Sequence, residues 1–237
     1  MLVKKISLTA ILPMHNEEKR VAHCVEEVEK ACRQITDSYE IIIAEDGSKD
    51  ATYRIARQLA RKNPRITLLH SAKRLGRGRA LSLALRKAKG DVSVYIDADL
   101  SPDMKYLGEL VSRVKSGAVI ATASRMLPES RTRRSIVRDV ASRGFNLLVR
   151  AILGSKLRDH QCGFKAFNTR KVRELLDEVE DEHWFWDTEL LIRAQRKGLR
   201  VDEVPVEWRE KGASTVDLKR DVAYMAAKIL YLKGKLG

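Results

Sequence analysis

The stretch Val92-Ser93-Val94-Tyr95-Ile96-Asp97-Ala98-Asp99-Leu100 joins an apolar run to two carboxylates that are separated by one small residue. An apolar run of this kind between Gly90-Asp91 and Ser101-Pro102 is typical of a strand buried on both faces of a parallel sheet. Open α/β sheets bind ligands in the crevice at the carboxyl ends of such strands. An unpaired carboxylate is costly to bury, so Asp97 and Asp99 indicate either a solvated turn or a site for a divalent cation. Hard oxygen ligands of this type suit Mg²⁺ or Mn²⁺.

The residues around this stretch predict alternating strands and helices. Apolar runs predict strands over 6–12, 39–44 and 66–70, and apolar spacings of three and four predict helices over 18–35, 50–62 and 79–89. Further along, a helix is expected over 104–114 and a strand over 118–123. The β-α-β-α-β-α-β order requires a parallel sheet with right-handed crossovers. The fold class is therefore α/β, with a mostly parallel sheet sandwiched by helices.

Three of the predicted strands end in polar clusters, which are Asn16-Glu17, Glu45-Asp46 and Asp97 with Asp99. Parallel strands place these ends on one edge of the sheet, so we expect the carboxylates to converge there. Carboxylates at one edge repel each other unless a cation or hydrogen-bond donors occupy it. The glycines of Gly76-x-Gly78 lack the spacing of a dinucleotide-binding fingerprint, and the sequence has no Walker-type phosphate loop.

The charge of the chain predicts an anionic partner. Its 46 Lys and Arg against 32 Asp and Glu give a formal net charge of +14, which fits nucleic acid, an anionic membrane surface or phosphorylated small molecules. Surface ion-pair networks are the purely structural alternative. Over residues 125–159, nine Lys and Arg stand against three Asp and Glu, so this region is the expected binding region for the anion.

Two features of the sequence bear on the membrane. No run approaches 18 apolar residues, and the three cysteines lack paired spacing, so we expect reduced thiols and peripheral membrane association on the cytoplasmic face. Apolar positions over 136–152 predict a helix that carries Arg138 and Ser142 one turn apart, which suits a membrane interface and a phosphate. The basic run Arg131 to Arg134 is also compatible with a merely solvated loop. A last amphipathic helix over 217–236 packs on the domain or lies on the membrane, and the membrane is the favoured expectation.

The ordered motifs of the first half resemble a known family. They are Pro13-x-x-Asn16-Glu17, Glu45-Asp46-Gly47-Ser48, Gly76-x-Gly78-x-Ala80-Leu81 and Asp97-Ala98-Asp99. This set is similar to family 2 glycosyltransferases, which have a GT-A fold and use nucleotide-sugar donors. The resemblance implies a cation on Asp97 and Asp99, and a donor site formed by Pro13, Asn16, Glu17, Asp46, Gly47, Gly76, Asp97 and Ala98. Glu45 departs from the usual Asp of this motif.

The second half resembles the polyprenyl-phosphate glycosyltransferases of that family. The similar segments are Asp159-x-Gln161-Cys162-Gly163-Phe164-Lys165, 184–191 and 204–208, and the first is more like dolichyl-phosphate β-glucosyltransferases than the mannosyl enzymes. Ser101 stands where many mannosyl enzymes carry a Gln. The resemblance implies metal-dependent, inverting transfer of a hexose from a nucleotide sugar, with UDP-glucose favoured over GDP-mannose, to a polyprenyl or dolichyl phosphate. It also implies catalytic roles for Asp99, Asp187 and Glu189, and an acceptor site formed by Arg125, Arg138, Ser142, Gln161, Lys165 and Arg209, with Arg220 as a further candidate.

Helix capping is the structural alternative for Asp187 and Glu189. We expect residues 1–237 to form a single catalytic domain, with a nucleotide-sugar half over 1–125, an acceptor half over 126–215 and the amphipathic helix over 216–237. A nucleic-acid-binding module would not explain the acidic convergence, because carboxylates repel phosphate. A nucleotidyltransferase is expected to bring a glycine-rich phosphate loop near the first strand, but residues 12–20 contain no glycine. No nucleic-acid partner is therefore expected.

Overall fold

A computed structural model describes residues 7–211 and 218–236, without the side chains of 218–222. Its strands are Leu8–Met14 (β1), Tyr39–Asp46 (β2), Ile66–Ser71 (β3), Val92–Ile96 (β4), Ile120–Ser124 (β5), Arg131–Arg133 (β6), Phe164–Asn168 (β7), Val201–Pro205 (β8) and Glu207–Arg209 (β9). Its helices are Val21–Ile35 (α1), Thr52–Lys62 (α2), Arg77–Lys87 (α3), Leu107–Lys115 (α4), Ile136–Leu153 (α5), Thr169–Leu176 (α6), Trp186–Arg196 (α7) and Leu218–Leu236 (α8).

A seven-stranded sheet with the order β3-β2-β1-β4-β7-β5-β8 forms the centre of the molecule. The first four strands are parallel, with Ile11 beside Ile42 in one direction and beside Tyr95 in the other. β7 is antiparallel to both of its neighbours, β4 and β5. The α/β class and the mostly parallel sheet predicted from the sequence are confirmed.

Helices cover both faces of the sheet. Successive side chains of a strand point to opposite faces, so each strand contributes to two cores. Leu8, Ala10 and Leu12 of β1 pack in one core with residues of α1 and α4. Ile11, between them, packs in the opposite core with residues of α3, α6 and α7. The continuous apolar runs therefore do report strands buried on both faces.

Several predicted boundaries differ from the observed ones for local reasons. α1 begins at Val21 rather than at Glu18, because the amides of Glu17 and Glu18 donate to Thr52 Oγ1 and Asp50 Oδ2 at the start of α2. β2 continues to Asp46, and α4 follows a 3-10 turn over Met104–Tyr106. The strand status of residues 164–168 was not predicted.

A third layer is built by α5, α7 and α8. Val149 and Leu153 of α5 pack against Phe185, Ile192 and the buried side of α8, which comprises Met225, Ile229 and Leu232. The favoured expectation that α8 lies on a membrane is therefore wrong for this face, which is covered by protein. Asp217, the predicted start of this helix, lies outside the described residues. Within residues 7–211 and 218–236, every helix is too short or too polar to cross a bilayer.

Candidate active site

Asp97 and Asp99 follow β4 directly, at the carboxyl edge of the parallel strands. The amide of Asp97 donates to the carbonyl of Gly163 at 3.0 Å, and the amide of Leu100 returns to the carbonyl of Asp97 at 3.1 Å. Leu100 has a φ of 49°, in the left-handed region that residues other than glycine rarely adopt. The chain thus turns sharply just after the two carboxylates, and such strain is common at functional sites.

Asp99 is oriented by Ser101. The amide and the hydroxyl of Ser101 donate to the two carboxylate oxygens of Asp99, at 3.0 and 2.7 Å. Each carboxylate oxygen retains a lone pair, so these bonds fix the direction of the carboxylate and leave it able to bind a cation. Ser101 therefore acts on Asp99 by positioning it.

Asp97 packs directly against the backbone of Gly163, where there is no side chain. A Cβ atom on Gly163 would lie 1.7 Å from Asp97 Oδ2, so only glycine fits here. Burial raises the pKa of Asp97 above its usual value; the nearby Arg77 opposes this shift and the charge of Asp99 adds to it. The carboxylate is thus held in a site that disfavours its negative charge.

Arg77, the first residue of α3, bridges two carboxylates. Its Nη2 donates to Asp97 Oδ1 and its Nη1 to Asp187 Oδ2, both at 2.7 Å. The guanidinium also lies over the ring of Tyr95, 5.1 Å from its centroid. Sequence reasoning missed Arg77; the available signal was a basic residue between Gly76 and Gly78.

Beneath Arg77, the charges continue to alternate into the core. Asp187 Oδ1 accepts from the hydroxyl of Tyr95 and pairs with Lys165 Nζ at 2.9 Å. Lys165 is fully buried, and its ammonium also donates to the carbonyl of Cys162. Despite burial, the pKa of Asp187 is lowered because Lys165 and Arg77 favour its charged form. Lys165 has no free surface for an acceptor, so we reassign it from acceptor binding to holding Asp187.

The other acidic strand ends are satisfied by hydrogen-bond donors of the protein. Asp46 accepts from the amides of Leu75 and Gly76 at 2.6 and 3.0 Å, and therefore fixes the loop before α3. Glu45 accepts from the amide of Ser48 at 2.6 Å and binds His70. The expected convergence thus does not extend to Glu45 and Asp46.

The remaining predicted donor residues lie around the end of β1. Pro13 is within the strand, and Asn16, with φ of 56°, accepts from the amide of Lys49 at 2.8 Å. Burial, partly opposed by Arg20, raises the pKa of Glu17, and the charges of Asp99 and Asp50 add to the shift. Glu17, Asp97 and Asp99 therefore form the acidic side of the site.

The loop between β3 and α3 has little room for side chains. Gly76 has φ of 109°, and a Cβ atom there would lie 2.3 Å from the carbonyl oxygen of Glu182. Gly47, with φ of 62°, lies beside the same loop, and Ala98 is buried between the two aspartates. These residues bring backbone, rather than side chains, to the edge where a donor is predicted to bind.

Two further predicted residues have structural partners. Arg125 is buried and makes a two-pronged ion pair with Asp159 at 2.7 and 2.8 Å, which lowers the pKa of that carboxyl far below its usual range. Glu189 accepts from Arg193 and from the amide of Asp181 at 2.8 Å. Both side chains are committed to holding the fold, so we reassign Arg125 and Glu189 from acceptor binding and catalysis to positioning.

Arg138 and Ser142 lie on consecutive turns of α5, as predicted. Arg138 is paired with Glu210, and the hydroxyl of Ser142 accepts from Arg134 Nη2 at 3.1 Å. Gln161 is half-buried at the turn before β7, and Arg209 is exposed on β9 with its amide bonded to the carbonyl of Ser101. Arg220 has no described side chain.

The residues present fit a divalent-cation site in which a substrate supplies the remaining ligands. Among residues 7–211 and 218–236, no group of three or more His, Cys, Asp and Glu side chains is arranged to hold a metal ion. Asp97 and Asp99 nevertheless offer hard oxygen ligands in a place where carboxylates crowd one another. Mg²⁺ is commonly held by one or two carboxylates together with substrate phosphates. Asp97 and Asp99 match this shared coordination by protein and substrate, and not a metal site formed by protein ligands alone.

The sequence of this chain is similar to those of known glycosyltransferases. Glycosyltransferase AglD of Haloferax volcanii is 48% identical over 228 residues, which are 95% of this chain and 36% of that protein. Dolichyl-phosphate beta-glucosyltransferase ALG5C of Trichomonas vaginalis is 29% identical and is covered to 75%, with 98% of this chain aligned. The chain thus spans about a third of the first relative and three quarters of the second.

Solved structures share the fold. Glucosyl-3-phosphoglycerate synthase from Mycobacterium tuberculosis, in complex with Mn²⁺, UDP and glucosyl-3-phosphoglycerate, matches with a TM-score of 0.66 and 22% identity, over 95% of this chain and 77% of that one. Its complex with Mg²⁺ and UDP gives a TM-score of 0.67 at 22% identity, over 94% and 79%. Residues 9–176 match the sequence profile of glycosyl transferase family 2. This profile covers most of the sheet and the two aspartates, and so the chain is a glycosyltransferase that belongs to glycosyl transferase family 2.

Proposed function

We propose that this glycosyltransferase transfers a hexose, with UDP-glucose as the favoured donor, to a polyprenyl or dolichyl monophosphate at an anionic membrane surface. The observation that carries the proposal is the turn over residues 159–163, which contacts both charged sides of the site. Gly163 lies against Asp97, and Asp159 holds Arg125 close to Arg134, which lies just before α5. A cationic group for one phosphate thus adjoins an anionic group for the metal-bound phosphates of another substrate.

The donor half contributes the acidic side. Asp97 and Asp99 would hold Mg²⁺ or Mn²⁺, and such a cation supplies neutralisation of the negative charge that develops on a leaving nucleotide diphosphate. Ser101 keeps Asp99 directed, and Arg77 keeps Asp97 directed. Glu17, Asp46, Gly47 and Gly76 shape the edge where the nucleoside would lie.

The acceptor needs little help with proton removal. A phosphate monoester is already anionic at neutral pH, because its second pKa is about 6. Direct attack by such an oxygen inverts the anomeric centre in a single displacement and gives a β-linked product from an α-linked donor. Asp187 is committed to Arg77, Tyr95 and Lys165, so it would position the donor side rather than act as a base.

The surface of α5 supports membrane association. Its large apolar side chains Ile136, Val140 and Leu147 are 81%, 64% and 64% exposed, and the helix also carries exposed arginines at 143 and 150. An amphipathic helix of this composition binds anionic lipid surfaces through both apolar burial and charge. Cys24, Cys32 and Cys162 are buried free thiols, which fits a reducing compartment and hence the cytoplasmic face.

The single-domain arrangement is part of the same proposal. Residues 1–125 would bind the nucleotide sugar, residues 126–215 the acceptor, and 216–237 would complete the layer on α5. The central sheet supports it, since β7 from the second part is hydrogen-bonded between β4 and β5 of the first.

The test is sugar transfer from labelled nucleotide sugars to a polyprenyl phosphate in mixed micelles. We expect lipid-linked glucose from UDP-glucose, its loss on EDTA addition and its recovery with Mn²⁺ or Mg²⁺. Asp99→Asn should abolish transfer, whereas Asp103→Asn, at an exposed acid four residues further on, should not. Transfer from GDP-mannose alone would overturn the sugar assignment, and no transfer to any polyprenyl phosphate would overturn the acceptor assignment.

A further inference from the structure

Three arginines lie close together where β6 leads into α5. They are Arg125, Arg134 and Arg138, and the first is fully matched by Asp159. The charge of Arg125 acts on Arg134, as does that of Arg138. Like charges in one place destabilise each other unless anions lie among them. A further anion can therefore bind only where a guanidinium group of the cluster lacks one or where its present anion can be displaced.

Arg134 has a buried guanidinium nitrogen without an acceptor. Its Nη2 donates to the carbonyl of Arg138 and to Ser142 Oγ, at 3.0 and 3.1 Å. Its Nη1 is buried and makes no hydrogen bond within the described part of the chain. Burial, followed by the charge of Arg125, lowers the pKa of Arg134 to about 10. A buried donor that lacks an acceptor is uncommon in folded proteins and points to a missing ligand.

Arg138 has an anion, and that anion comes from the chain itself. Glu210, one residue after β9, places Oε1 on the guanidinium of Arg138 and accepts with Oε2 from the amide of Ser135, at 3.1 Å. Its own amide donates to the carbonyl of Arg133 at 3.0 Å. The Glu210 carboxylate therefore occupies the first turn of α5, where backbone amides and Arg138 would bind a phosphate.

We propose that Glu210 is an internal anion in the acceptor-phosphate site, and that the acceptor displaces it to bind Arg138, Ser142 and the unmatched nitrogen of Arg134. The inference rests on the proposed lipid-phosphate acceptor. The two oxygens of Glu210 are occupied by Arg138 and by the amide of Ser135. A phosphate monoester has three terminal oxygens, so it can bind Arg138 and still reach the guanidinium group of Arg134. Arg134 thereby joins Arg138 and Ser142 as an acceptor ligand, and Glu210 sets the affinity by competition.

A purely structural role for Glu210 predicts the opposite result. If the carboxylate only fastens β9 to α5, its loss should loosen the site and weaken acceptor binding. If it competes with the acceptor, its loss should strengthen binding. The two roles therefore differ in the sign of one measurable change.

The experiment compares Glu210→Gln with Glu207→Gln. Glu207 lies three residues earlier, on β9, and pairs with Lys105 rather than with a residue of α5. For Glu210→Gln we expect the KM for the polyprenyl phosphate to fall by about threefold to tenfold, the scale of a partly exposed ion pair, while the KM for UDP-glucose stays constant. Glu207→Gln should leave both within a factor of about two. A rise, or no change, in the acceptor KM of Glu210→Gln would overturn the competition.

Arg134 is tested in parallel. Arg134→Gln should raise the acceptor KM by about tenfold to a hundredfold, because charge-assisted hydrogen bonds to the phosphate are lost, and Arg134→Lys should recover part of it. Arg131→Gln, at an exposed arginine of the same basic run, is the matched control. Calorimetric titration of geranyl phosphate into each variant without donor measures binding apart from turnover and from folding.

The outcomes also separate this inference from the proposed function. Transfer by the unsubstituted enzyme with unchanged acceptor KM in the Glu210 and Arg134 variants would sink the inference alone. Absence of transfer from the unsubstituted enzyme to every polyprenyl phosphate would sink both.

Discussion

Arg77 is the residue on which the two acidic groups of the site depend. It contacts Asp97 at the surface of the site and Asp187 beneath it, and the side chain is largely buried. Removing one member of a buried ion pair leaves a charge without compensation and costs about 3–5 kcal/mol. In this chain Lys165 still compensates Asp187, so the lower end of that range applies.

We therefore expect Arg77→Gln to lower the free energy of unfolding by about 3 kcal/mol, and to reduce sugar transfer at least about a hundredfold because Asp97 loses its orientation. Urea titration and the transfer assay measure the two effects. The control is Arg79→Gln, two residues after Arg77, which removes an exposed ion pair with Glu182. It should change the free energy of unfolding by less than about 1 kcal/mol. Equal effects of the two substitutions would contradict the bridging role.

His160 makes the stability of the fold depend on pH. It is buried with hydrogen bonds to Asn146 and Ser155, and burial lowers its pKa to about 4 from the usual value of about 6.5. Between these values the unfolded chain binds a proton that the folded chain does not. The stabilisation is thus complete above the unfolded pKa and is lost as the pH falls from about 6.5 towards 4.

The shift predicts a loss of about 3 kcal/mol across that window, from about 1.4 kcal/mol per unit of pKa. Urea unfolding at several pH values measures it. His160→Gln should remove most of this pH dependence, at some cost in stability at neutral pH, whereas His23→Gln at an exposed site should leave it intact. An unchanged slope in His160→Gln would show that other groups carry the effect.

Single residues were predicted well from sequence where their role is local. The position of Asp97 and Asp99 after a buried strand follows from hydrophobic pattern alone. The commitment of Arg125 to Asp159, and of Lys165 to Asp187, does not follow, because an ion pair and a ligand site draw on the same residue types. Only the three-dimensional partner distinguishes them, and that partner is distant in sequence.

At the scale of elements, the predicted strands and helices of the first half match the structure to within a few residues. β7 was missed because its place is set by long-range pairing: it enters between β4 and β5 against the direction of both. Its sequence was interpreted through family resemblance and not as a strand. A local pattern cannot report which two edges a strand will join.

α5 is the element expected to contact the membrane. Its apolar positions were predicted as one helix face, and Ile136 and Val140 of that face are exposed. Leu147, which was not part of the predicted face, is exposed as well and follows Val140 at a spacing of seven residues, on the same side of the helix. Val140→Glu or Leu147→Glu should lower partition onto phosphatidylserine vesicles by about tenfold or more, since burial of such a side chain contributes about 1.5–3 kcal/mol.

Vesicle sedimentation measures this partition, and Leu83→Glu provides the control. Leu83 on α3 is 45% exposed and lies outside the proposed surface. If Leu83→Glu reduced vesicle binding as strongly as Leu147→Glu, binding would be a property of the whole surface and not of α5.

At the scale of the whole molecule, the net charge of +14 predicted an anionic partner without choosing its class. The fold narrows the class of anionic partner. It separates the charged side chains into an acidic edge at the ends of β1 and β4 and a basic cluster at the start of α5. That separation depends on β7, which joins the turn at Asp159–Gly163 to the end of β4.

The central place of β7 also has a consequence for the order of folding. Strands β1 to β4 pair with one another early in the sequence, but the second edge of β4 and one edge of β5 stay unpaired until residues 164–168 arrive. Non-local pairing of this kind is slow. Pulse-labelled hydrogen exchange during refolding should therefore protect the amides of β1 and β2 before those of β7. Since the amide of Asp97 bonds to the carbonyl of Gly163, the backbone of this aspartate is fixed only when β7 joins the sheet, and a chain folded only as far as β4 has no assembled donor site.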